Sequence, residues 1–147
     1  GGASPPSGAP AQDHAGEVGA LVNAGRLEDA WELMSGMLER EPLSPETHYL
    51  AAFVQWHRLS LDHALTCLAK AVYLEPECAV AYQMRGLILL QNGRPDLARR
   101  AFRTAYRLAT RLPGDAAIGF GDGETAAQLA RAAQSQIRSL QGAGDRR

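Results

Sequence analysis

Apolar and small side chains between residues 11 and 112 return at a fixed interval of thirty-four positions. Gly25, Ala30, Met34, Met37 and Pro42 become Leu59, Ala64, Leu68, Ala71 and Pro76, and then Gly93, Ala98, Phe102, Ala105 and Thr110. A repeat of that length is one supersecondary unit that cannot bury its apolar face alone and must stack on its neighbours. Within a unit, steps of four and three, as from Ala64 to Leu68 to Ala71, put three side chains on one helix face. Alanines there let two helices approach closely, and Leu68 or Phe102 fills the space between them. Gly25 and Gly93 fall where a helix must stop and the chain must turn, a place for positive φ. Pro42 and Pro76 disfavour helix just before them and separate successive units. The pattern predicts helix pairs over 12–23 and 27–40, 46–58 and 62–74, and 80–91 and 95–112.

The periodicity covers 11–110, as units 11–44, 45–78 and 79–112, and is lost after Leu112. Pro113-Gly114-Asp115 breaks the last repeat helix, and a glycine-rich loop over 113–122 follows, which Ile118 and Phe120 are expected to pin to the helices. A further helix over 123–140 starts at Asp122 or at Thr125, where Gln128 three residues on completes a capping box. Its stripe of Ala126, Leu129, Ala130, Ala133, Ile137 and Leu140 is expected to cover the face that unit three leaves bare, as the end of a repeat array requires. Residues 1–10 are small, proline-rich and uncharged, the composition of a linker, and 141–147 reads as a flexible tail.

Composition agrees with a helical array. Ala, Leu, Glu, Gln and Arg dominate the middle of the chain and β-branched runs are missing, which favours helix and leaves nothing for a parallel sheet. The expected fold class is therefore all-α. With 147 residues and 46% apolar side chains, one domain with a real core is expected. The formal net charge of -1 argues against nucleic acid or an anionic membrane as partner, and Arg99, Arg100 and Arg103 read as a solvated face. Cys67 and Cys78 cannot make a disulfide framework and read as free thiols. Absence of a leader and of a spanning stretch leads to the expectation of a cytoplasmic protein with no membrane insertion.

Unit length, the Ala/Ala/Pro spacing and Gly86 within Tyr82-Gln83-Met84-Arg85-Gly86 resemble the tetratricopeptide repeat over about 11–110. The family's aromatic near the start of the first helix is Tyr82 in unit three, but His48 and His14 in units two and one; its mid-helix glycine is replaced by Ala52 and Val18. The resemblance implies a right-handed superhelix of three units plus a capping helix, with the first helix of each pair lining a concave groove. The family's groove positions fall on Glu46, Tyr49, Phe53, Trp56 and His57 in unit two and on Val80, Gln83, Leu87, Leu90 and Gln91 in unit three. In unit one they fall on Gln12, Ala15, Gly19, Val22 and Asn23. Tyr49, Phe53 and Trp56 share a face by their spacing, and Leu50, Ala51, Val54, Ala64, Leu68 and Ala71 suffice for the core of their own pair. The aromatic stripe is then free to receive a protein or peptide partner. A homodimer, or the chain's own segments, would be other occupants of the same groove.

A second resemblance lies in the run from Asn92 to Ala105, the Leu112-Pro113-Gly114-Asp115 break, Gly121 to Ala126, and Ala71 to Pro76 followed by Ala79 and Ala81-Tyr82. Over about 43–140 these stretches resemble the C-terminal repeat segment of the CheR family of chemotaxis-type protein-glutamate methyltransferases, including Wsp-type members. That resemblance implies an accessory module that positions an S-adenosylmethionine-dependent domain, outside this chain, on a chemoreceptor signalling helix or a regulator. A stand-alone repeat adaptor unrelated to methylation is the alternative. The chain itself contains no Gly-rich phosphate loop with a lysine, no metal-ligand cysteine pair and no nucleophile elbow, so no catalytic residue, cofactor or metal is expected in it.

Overall fold

The computed structural model describes residues 11–118, 120 and 123–145, with side chains over 14–118, 120 and 123–142; the expected linker 1–10 lies outside them. Seven helices follow one another: α1 Ala11–Asn23, α2 Leu27–Arg40, α3 Pro45–His57, α4 Leu61–Leu74, α5 Ala79–Gln91, α6 Pro95–Thr110 and α7 Ala126–Asp145. Among the described residues the sole β-type pairing is one isolated bridge between Ala117 and Thr125. Helices α1 and α2, α3 and α4, and α5 and α6 pack as pairs; α2 meets α3, α4 meets α5, α1 reaches α3, and α7 lies along α6.

The turns inside the pairs are built alike. Gly25 and Gly93 adopt φ of 76° and 74°, and Leu59, thirty-four residues from each, adopts 62°. In all three the left-handed residue's N–H donates three residues back, to Val22, Trp56 and Leu90. The next N–H donates five back, to Leu21, Gln55 and Leu89, at 2.9 Å each time. These paired bonds satisfy carbonyls that a helix end leaves open. Leu59 thus takes a glycine's conformation, and its side chain is 73% exposed, so no burial offsets the strain. Leu59→Gly is expected to stabilise the fold by about 0.5–1 kcal/mol. The left-handed conformation costs an L-residue roughly 1–2 kcal/mol, and glycine's greater unfolded-state freedom returns about half of that. Thermal melting checks this; an unchanged or lower midpoint would mean the Leu59 side chain holds a contact worth as much as its strain.

Between pairs, Ser44 and Cys78 occupy equivalent N-cap positions, each donating its backbone N–H three residues back at 3.2 Å, to Glu41 and Glu75. Only Ser44 caps with its side chain, accepting from the Thr47 N–H at 3.2 Å, with Pro45 opening the helix. Burial pushes the Cys78 thiol up to about 11, and raises that of Cys67 too, so both stay protonated and behave as small apolar groups.

The core runs the length of the array. Val18, Ala30, Met34, Met37, Leu50, Ala51 and Val54 fill its first part. Ala52, Ala64, Leu68, Ala79, Met84 and Ile88 fill the middle. Leu89, Ala98, Ala101 and Phe102 fill the last, with Ile137 and Leu140 of α7 against them. The six residues expected to supply the core of the second pair are all buried. Gly86 faces Phe102 so closely that a Cβ on it would stand 2.5 Å from the ring.

Two ends differ from expectation. Helix α6 stops at Thr110 rather than 112. Helix α7 begins at Ala126 rather than 123 and continues to Asp145, so residues 141–145 are helical where a flexible tail was expected. Thr125 is what sets the start: its Oγ1 accepts from the Gln128 N–H at 3.2 Å, and its own N–H donates to Gln128 Oε1 at 2.9 Å.

Candidate functional site

Helices α1, α3 and α5 bring the first-helix positions of the three pairs to a common hollow. Its volume is about 400 Å³, and it is lined by Ala15 and Gly19 of α1, Tyr49, Leu50 and Phe53 of α3, and Val80 of α5. Small residues on α1 leave the room, and the four-residue step from Tyr49 to Phe53 turns both rings to one side. Phe120 and Glu124, from the loop before α7, close the remaining wall.

Tyr49, Phe53 and Trp56 are half-buried. Phe53 packs against both the first and the middle part of the core, and Tyr49 and Trp56 against the middle part, so the stripe is partly used in holding the pairs together. Phe120 lies 5.5 Å from Tyr49, centroid to centroid, with the rings tilted at 45°. The chain's own loop therefore takes some of the aromatic surface expected to be free.

Beyond Phe53 the stripe continues as a linked polar rim. His57 donates through Nδ1–H to the Phe53 carbonyl at 2.9 Å, which fixes its tautomer because a carbonyl can only accept. Its ring sits 4.4 Å from Phe53 and 5.7 Å from Trp56. Trp56 Nε1–H donates to Gln91 Oε1 at 2.9 Å, tying the end of α3 to the end of α5. His48, the residue standing in the repeat's aromatic position, is buried instead and donates through Nε2–H to the Pro42 carbonyl at 2.7 Å.

The candidate residues thus fall into four places. Tyr49 and Phe53 meet at the hollow; Trp56, His57 and Gln91 form the rim. Leu87 and Leu90 pack instead against the last part of the core beside Leu89 and Ala98. Gln83 is buried, and its Oε1 has no donor among the described residues. Phe120 and Glu124 were not foreseen as wall residues. The signal available for Phe120 was an aromatic set alone between glycines, and Glu124 offered none.

The loop is held at its base. Ala126 N–H donates to the Ala116 carbonyl at 2.9 Å, and Ile118 N–H to that of Glu124 at 3.1 Å. Ile118 is buried, as expected of an anchoring residue. Glu46, at the start of α3, has its carboxyl raised by burial and by neighbouring Glu41. Among the described residues no three of His, Cys, Asp and Glu gather in a way that could hold a metal ion, and no helix is long and apolar enough to cross a membrane.

No protein-family model matches the chain, and no curated protein matches it in sequence. Solved structures do match in shape. PcrH in complex with the chaperone binding region of PopD superposes with a TM-score of 0.75 at 14% identity, over 90% of this chain and 92% of that one; PcrH itself is from Pseudomonas aeruginosa. The translocator chaperone SycD of Yersinia enterocolitica gives 0.75 at 12% identity, over 91% and 85%. A type III secretion complex from Aeromonas hydrophila gives 0.75 at 14%, over 91% and 82%. At these identities the likeness establishes a tetratricopeptide-like, all-helical fold.

Proposed function

We propose that the chain is a non-catalytic binding module, three tetratricopeptide-type helix pairs wound in a right-handed superhelix and closed by α7, that holds an apolar segment of a partner protein against its concave side. The observation that carries this reading is the hollow itself. Tyr49 and Phe53 are half-buried on its wall, with the Trp56 rim beside them, and such aromatics are the residues that dominate binding energy when a partner completes their burial. Support also comes from the structures of like shape: PcrH is described with the chaperone binding regions of PopD and PopB, and SycD with a peptide of YopD. A stand-alone adaptor or chaperone-like protein is therefore the preferred form of the proposal.

A second reading keeps the accessory module of a glutamate methyltransferase, positioned on a chemoreceptor helix. Its support is the residue pattern from Asn92 to Ala126. The two readings part on what is bound. Peptides selected from a random displayed library, and a receptor-type amphipathic helix, are titrated against the chain and against Tyr49→Ala/Trp56→Ala. The double substitution is expected to weaken binding by roughly a hundredfold or more, since each ring is worth about 2 kcal/mol at a hot spot. Helical circular dichroism should barely change. Undiminished binding by the double variant would remove the hollow as the site, and preference for the receptor helix would select the methyltransferase reading.

A further inference from the structure

A small net charge conceals a strong separation. Unit one, residues 11–44, holds seven acidic and two basic residues, whereas unit three, residues 79–112, holds seven arginines and a single acid, Asp96. Arg99 pairs with Asp96 at 2.7 Å. Arg100, Arg103 and Arg107 follow one another along the exposed side of α6 and Arg111 caps its end on the same side, with no ion pair among the described residues. Like charges three and four apart on a helix repel by a few tenths of a kcal/mol per pair, and no glutamate is interleaved to relieve them. A merely solvated face would alternate its charges. Reading these arginines as nothing but a soluble surface therefore leaves their cost unexplained.

The stripe also borders a cavity. A depression of about 270 Å³ lies between α5 and α6, with Arg85 and Arg100 at its edges, the Tyr82 and Thr104 side chains beside them, and Leu89 and Leu97 among its lining. Leu97 is 41% exposed. Two guanidiniums over an apolar floor suit a carboxylate carried next to an apolar side chain, because each guanidinium presents a planar fork that a carboxylate can meet with two hydrogen bonds. Tyr82, Arg85 and Leu89 lie on a different side of α5 from Val80, the residue of that helix that lines the hollow, so this surface is separate from the hollow.

We infer that the α5–α6 face is a second docking surface, for an acidic protein segment with interspersed apolar residues. Nucleic acid fits less well. The stripe from Arg100 to Arg111 spans only about 16 Å at 1.5 Å per residue, and the acid excess of unit one repels a long polyanion. The inference does not depend on what the hollow binds.

The test titrates the full chain with a synthetic peptide, four repeats of Glu-Glu-Leu with blocked ends, at low and at physiological salt. Arg100→Glu/Arg103→Glu is expected to weaken binding roughly tenfold or more, as two attractions become repulsions, while leaving the melting temperature unchanged or higher. Arg131→Glu/Arg138→Glu, at two exposed positions of α7, makes the same change of net charge and should bind nearly as the parent does. Four results would overturn the inference: no binding of the peptide at low salt, equal loss in the α7 variant, no loss in the Arg100/Arg103 variant, or tighter binding of a single-stranded oligonucleotide or of phosphatidylserine vesicles than of the peptide.

Discussion

Phe102→Ala is expected to destabilise the fold by about 3–5 kcal/mol, the range for emptying a buried aromatic site. Phe102 is wholly buried and joins α6 to Leu89 of α5 and to the side chains of α7. Its ring also lies against the bare Cα of Gly86, where a Cβ would approach to 2.5 Å. Gly86→Ala alone should therefore cost about 1–3 kcal/mol as overpacking, even though alanine favours helix over glycine by close to 1 kcal/mol. The informative variant is the pair. With the ring gone, the methyl added in Gly86→Ala has room and alanine's helix preference reappears, so the double substitution should cost clearly less than the two singles added. Urea denaturation of the four proteins measures this. Strict additivity would show that the ring and the glycine are not fitted to one another.

Ending the chain at Gly123 is the second large effect, with loss of cooperative unfolding or soluble aggregation expected. Helix α7 buries Ala126, Leu129 and Ala133 almost completely and half-buries Ile137 and Leu140. Their burial is worth on the order of 5 kcal/mol, a large share of the roughly 5–15 kcal/mol that holds a whole domain together. Truncation also removes the base of the loop that carries Phe120, so the hollow loses a wall at the same time. Leu129→Ala gives a milder check, with an expected cost of about 2–5 kcal/mol. Calorimetry and size-exclusion chromatography of the truncated chain decide it; a sharp, unshifted melting transition would mean α7 is an appendage rather than a lid on the core.

The interval of thirty-four made most of the array legible in the residues alone. Ala30, Ala64 and Ala98 mark where helices touch, the prolines mark where units part, and the helix bounds follow within a residue or two. Volume complementarity was present too, though harder to notice. Val18, Ala52 and Gly86 shrink along the chain as their same-register counterparts Met34, Leu68 and Phe102 become stiffer and broader. What periodicity could not reach lies outside the repeat. Phe120 meets Tyr49 across some seventy positions, a pairing that no local spacing announces. Leu59 gives no outward sign of a left-handed backbone; only its place between Gly25 and Gly93 does. The last helix was expected to stop at 140, yet it runs on through Gly142 and Gly144 to Asp145. The charge separation needed counting by unit rather than by chain. Short helical repeats share Ala, Leu, Gly and Pro for reasons of packing, so the likeness of the segment from Asn92 to Ala126 to one family's repeats cannot by itself identify a partner.

Phe120 and Glu124 stand on the same hollow as Ala15 and Gly19, although a hundred residues of chain separate the two pairs. Most solenoids are open springs whose pitch can breathe, each turn feeling only the next. Here the loop before α7 reaches back along the inner side to set Phe120 against Tyr49 of α3, bracing the second pair directly against the closing segment. Part of the bend is thereby held by a strut rather than by neighbouring steps alone, and a cargo that displaces Phe120 is expected to loosen it.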